Sequence, residues 1–134
     1  MTYVVWSFVL LGAVVHILVF VWEALLIHRP RVHQGVFSIP SADVPAIRLW
    51  AFGVGFYNLF LAGGAIAGVI AWARGNVTVG LTLVVYICLF WLLSSIVLVI
   101  ADRLAMGRPR GTGLGGALGQ GVPALIALIA TTLL

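Results

Sequence analysis

The chain is patterned as long apolar runs rather than as alternating polar and apolar positions. Four stretches, about residues 3–27, 50–72, 77–101 and 115–134, hold few groups that water would solvate. Each is long enough to cross a hydrocarbon layer of about 30 Å, which takes about 20 helical residues. Backbone amides in such a layer have no water to bond with, so a spanning segment is either a helix or part of a closed barrel. The lack of period-two alternation excludes the barrel. The pattern therefore predicts an all-α, polytopic integral membrane protein, a four-transmembrane-helix bundle in which residues 1–134 form one domain.

The linkers between the runs differ. Residues 28–49, HRPRVHQGVFSIPSADVPAIRL, hold Pro30, Pro40 and Pro45. The SADV segment predicts a short helix from near Pro45, with Ser41 or Asp43 as its N-cap. The second linker is only ARGN. The third, DRLAMGRPRGTGLGG, is rich in glycine and arginine and is expected to be irregular. The first run lacks a basic leader, exceeds the usual length of a signal core and precedes no small-residue cleavage pattern, so it is expected to be a membrane helix.

Composition removes the soluble alternatives. The sequence is 63% hydrophobic and 7% charged, with a mean hydropathy of +1.25, whereas soluble domains carry about 25% charged residues. The net charge of +4 arises from arginines alone, set against three acids. These arginines lie in the gaps between apolar runs, so they point to topology and not to nucleic acid. Arg29, Arg31 and Arg48 lie in or at the end of the first linker and Arg103, Arg108 and Arg110 in the third, against Arg74 in the second. That split predicts linkers one and three in the cytoplasm and both termini outside. Trp6 and Trp72 would then fall near the outer interface and Trp22 and Trp50 near the inner one. The expected partners are the lipid bilayer itself and, at the arginine-rich linkers, anionic lipid head groups. Cys88 is the single cysteine, which leaves no intramolecular disulfide and no cysteine metal cluster.

The polar residues inside the runs carry the functional signal. His16 and Glu23 are seven positions apart and so share a helix face. At 1.5 Å per residue, Glu23 lies roughly 7 Å and His16 roughly 18 Å from the cytoplasmic end of the first helix. Tyr57 and Asn58 fall at roughly 11–12 Å, Ser94 and Ser95 at roughly 9–11 Å, and Gln120 at roughly 7 Å. Every helix thus sends a polar group into the same half of the bundle. Hydroxyls such as those of Tyr57, Ser94 and Ser95 also serve as ordinary interhelical or own-backbone hydrogen bonds. A carboxyl in hydrocarbon is rarer and must be neutral, paired or facing water. His16 and Glu23 are about 10 Å apart along the axis, which calls for a water, a third side chain or a cavity between them.

Other features are less specific. Gly64 with Gly68, and Gly115 with Gly119, have the spacing that permits close helix approach. They serve either internal packing or a seam for a homo-oligomer or membrane protein partner. Pro123 removes the hydrogen bond to the carbonyl of Gly119 and predicts a kink beside Gln120. His28 and His33 are expected to be solvated. The sequence shows no nucleophile–base motif, phosphate loop or metal-ligand set, and it indicates no particular cofactor.

His16, Glu23 and Pro30 at seven-residue intervals, GFYNLFLAGG at 55–64 and QGVPALIAL at 120–128 resemble a family of small bacterial membrane proteins, the domain of unknown function 1304. The resemblance covers nearly the whole chain. It implies four membrane helices in the bacterial cytoplasmic (inner) membrane and carries no established activity. The family pattern carries over to His16, Glu23, Gly55, Tyr57, Asn58, Gln120 and Pro123. The family usually has Asn-Gln just before the glycine matched by Gly55, where this chain has Gly53 and Val54, and its third linker is usually shorter.

Three classes of function fit these residues. One is a binding or catalytic site for a small lipophilic molecule, with Glu23 as acid or base, His16 as its partner or relay, and Tyr57, Asn58, Ser95 and Gln120 as ligand contacts. A second is a proton-coupled transporter using the same carboxyl, against which stand an outer half poor in polar groups and the lack of repeats. The third is an accessory or assembly subunit of a larger membrane complex.

Overall fold

The computed structural model describes residues 1–106 and 108–134. Helix α1 spans Thr2–Phe20 and continues as a π-helical turn over Val21–Leu25; α2 is a short helix at Pro30–His33. A 3-10 turn at Ser41–Asp43 leads into α3, Val44–Ala73, followed by α4, Val77–Arg103, and α5, Leu114–Thr131. Four of these segments are long and apolar enough to cross a membrane. The protein is an all-α four-helix bundle, and its apolar spans are those of a multi-pass membrane protein.

The long helices form a ring in chain order, with α1 packed on α3 and α5, and α4 packed on α3 and α5. The short second linker makes α3 and α4 an antiparallel hairpin. Gly75, at φ +91°, ends α3 in the left-handed conformation that glycine tolerates without a Cβ penalty. Asn76 then caps α4 by accepting the Val79 amide at 3.2 Å.

The bundle is filled at the hairpin end, away from the first and third linkers. Val5, Val9, Ala65, Val84, Cys88 and Trp91 are among its fully enclosed side chains. Trp72 is buried there, edge-on to Trp6 with ring centroids 6.0 Å apart. Gly64, Gly68 and Gly80 let α3 and α4 approach closely. A Cβ on Gly68 would come within 3.0 Å of Leu83 Cβ, and one on Gly64 within 2.9 Å of Ile87 Cδ1. The first small-residue pair therefore serves internal packing.

Two linker features depart from the sequence reading. The short helix expected near Pro45 merges with the second span, so α3 is a continuous helix of 30 residues, roughly 45 Å at 1.5 Å per residue. Asp43 is its N-cap but makes no side-chain capping bond. His33 is buried, not solvated, and its Nδ1 donates to the Ile39 carbonyl at 2.9 Å. The third linker is held by Asp102, which accepts the amides of Gly111 at 2.8 Å and Gly113 at 2.8 Å. That carboxylate, at the end of α4, satisfies amides just ahead of the first turn of α5, where helix amides lack partners.

Candidate functional site

At the linker-rich end the helices separate into two pairs. On one side α1 and α3 stay in contact through Phe20 and Phe56, 5.0 Å between centroids. Gly55 permits this approach, since a Cβ there would lie 2.9 Å from that of Ala24. On the other side α4 and α5 are joined where the Ser95 hydroxyl donates to the Ala117 carbonyl at 2.7 Å. Gly121 has no room for a side chain because Ser95 Oγ occupies the position.

A cavity of about 770 Å³ lies between the two pairs. Its polar lining includes His16 and Glu23 from α1, Tyr57 and Asn58 from α3, Ser94 from α4 and Gln120 from α5. The first and third linkers roof it with Val36, Phe37 and Arg108. The Arg108 guanidinium donates to the Phe37 carbonyl at 2.7 Å and so ties one linker to the other.

Glu23 sits in the π-helical turn, a local widening that often occurs at functional sites. Its Oε2 accepts from the Asn58 amide at 3.2 Å, and the same amide nitrogen donates to the Val54 carbonyl at 3.1 Å. His16 is buried one turn below Phe20 and stacks on Trp91, with centroids 4.3 Å apart and planes within 14°. Its Nδ1 lies 2.8 Å from the Gly12 carbonyl. A carbonyl only accepts, so Nδ1 carries the hydrogen and Nε2 of the neutral ring is the acceptor. The Gln120 amide lies beside this ring. Gly12 is required by the stack, because a Cβ there would come within 2.6 Å of the Trp91 ring.

The family assignment follows from the whole chain. A family model described as a protein of unknown function (DUF1304) matches residues 10–132. The chain belongs to the DUF1304 family. No curated protein and no solved structure matches it. Val54 lines the cavity and adds an apolar side chain to its wall.

The expected residues divide unevenly around the site. His16, Glu23, Asn58 and Gln120 come together on the cavity wall. Tyr57 lines the cavity but is 67% exposed on the flank of the bundle. Ser95 belongs elsewhere: its hydroxyl joins α4 to α5, and the adjacent Ser94 lines the cavity instead. Adjacent serines on a helix point about 100° apart, and the helix rotation that chooses between them follows from packing. The α5 helix runs through Pro123 without a break. Gly119, whose carbonyl would ordinarily accept from residue 123, lines the cavity. The sequence marks Arg108 as a topology signal and a contact for anionic lipid head groups, and its place in the roof depends on how two linkers meet.

Proposed function

We propose that this protein is a membrane-embedded binding site for a small lipophilic molecule, with Glu23 as its acid–base group and His16 as the deeper polar partner. The observation that carries the reading is the cavity of about 770 Å³ to which all four long helices contribute polar side chains. Its size lies within the roughly 300–1,000 Å³ of small-molecule sites, and its mixture of apolar wall and few polar groups is typical of them. The packed hairpin end argues against a conduit running through the bundle.

Filling the cavity tests this reading. A Cβ on Gly119 would meet only Val15 Cγ1, at 3.9 Å, so Gly119→Leu is tolerated by the backbone and adds helix propensity of up to about 1 kcal/mol. The variant is expected to melt at or above the wild-type temperature while losing uptake of a solvatochromic lipophilic dye in nanodiscs. Unchanged dye uptake would overturn the proposed site.

In the proposed orientation, the linker-rich end and the cavity face the cytoplasm, supported by six arginines there against Arg74 at the hairpin. Arg74→Cys is expected to react with an impermeant maleimide in intact cells, and Arg110→Cys only after permeabilisation. The reverse pattern would invert the topology.

A further inference from the structure

We infer that the ligand is a membrane-dissolved amphiphile whose polar end donates hydrogen bonds, a hydroxyl or a protonated amine, and which reaches Glu23 and His16 through a lateral opening between α3 and α4. This rests on the proposed binding site and names the chemistry that the site selects.

The first line of support is hydrogen-bonding capacity. The Asn58 amide nitrogen already donates to Glu23 and to Val54. The ring N–H of His16 is committed to Gly12. His16 Nε2 faces the Gln120 side chain, so the remaining capacity beside Glu23 is on two acceptors, Glu23 Oε1 and the Asn58 side-chain oxygen. A ligand group that donates completes these two atoms, whereas a carboxylate or phosphate placed against Glu23 would face lone pairs there. Arg108 is the cavity's cationic lining residue, but it belongs to the roof, where it holds Phe37.

The second line is access. The roof is formed by both linkers, which the Arg108–Phe37 hydrogen bond ties together. On the flank, Tyr57 of α3 and Phe90 of α4 each line the cavity, yet are 67% and 45% exposed. The close α3–α4 contacts made by Gly64, Gly68 and Gly80 all lie toward the hairpin. The inferred opening therefore lies between Tyr57 and Phe90, where both side chains line the cavity and are exposed on the flank. An apolar tail extends through it into the bilayer while the polar end stays at Glu23.

The test uses a long-chain alcohol with a diazirine part-way along its tail, photolysed with the full-length protein in phosphatidylcholine nanodiscs. Saturable labelling is expected on the segments around Tyr57 and Phe90. Unlabelled hexadecanol or hexadecylamine should compete on the order of tenfold better than palmitate, a difference of about 1.4 kcal/mol. Comparing these two competitors distinguishes a neutral from a cationic donor. Equal or better competition by palmitate would overturn the donor assignment and leave the binding site standing. Labelling centred on Phe37 and Arg108 would overturn the lateral route. The absence of saturable labelling anywhere on the cavity wall would overturn both this inference and the proposed function.

Discussion

Gly80→Val should be the most damaging single substitution in the bundle. A Cβ at Gly80 would sit 2.5 Å from Trp72 Cβ, 2.6 Å from the Trp72 amide nitrogen and 2.7 Å from the Gly68 carbonyl oxygen. Two of those three atoms are backbone, so no rotamer change relieves the overlap, and α3 and α4 must move apart. Separation would also loosen Trp72 and the packed end around Val84 and Val69. Overpacking in a filled core costs about 1–3 kcal/mol and occasionally more. The upper end or beyond is expected here, because the obstruction is a helix backbone. Gly53→Val is the control: nothing lies within 4 Å of a Cβ at Gly53. Melting of the two variants in detergent should separate them by many degrees. A wild-type melting curve for Gly80→Val would mean that the helices are not in contact at this point.

Much of this architecture is legible in the sequence because hydrocarbon imposes strict conditions. Long apolar runs must be helices, and a linker as short as ARGN must make a hairpin. The placement of His16, Glu23, Asn58 and Gln120 on one cavity follows from seven-residue spacing and depth arithmetic, since rise per residue is nearly constant. Helix rotation is less legible. Ser94 and Ser95 are equally polar, and only the packing of α4 against Gly121 selects which one faces the cavity. The π-helical turn at Val21–Leu25 has no signature in VWEAL, because such a turn is held by tertiary contacts, here Gly55 against Ala24 and Asn58 against Glu23. Asp102 and Arg108 were hidden for a related reason. Their roles link segments whose relative position is fixed only once the bundle has formed.

Glu23→Gln should leave the fold nearly intact and weaken ligand binding on the order of tenfold or more. The partner that the structure gives Glu23 is the neutral Asn58 amide, whose nitrogen is 3.2 Å from Oε2. Glutamine keeps a carbonyl oxygen in that place, so the link between α1 and α3 survives. The substitution therefore avoids the roughly 3–5 kcal/mol loss that follows when one member of a buried ion pair is removed. What glutamine lacks is the negative charge and the exchangeable proton, the two properties that suit a carboxyl to hold a donating head group or to act as acid or base. Glu23→Leu supplies the contrast. It leaves the Asn58 amide without its carboxyl acceptor, at a cost of about 1–3 kcal/mol, and should lower both the melting temperature and binding. If Glu23→Gln binds the alcohol probe as the wild type does while Glu23→Leu melts early, Glu23 is a structural latch between α1 and α3. That outcome would favour an assembly subunit over a ligand site. If Glu23→Gln melts with the wild type and loses the probe, the carboxyl serves the ligand rather than the fold.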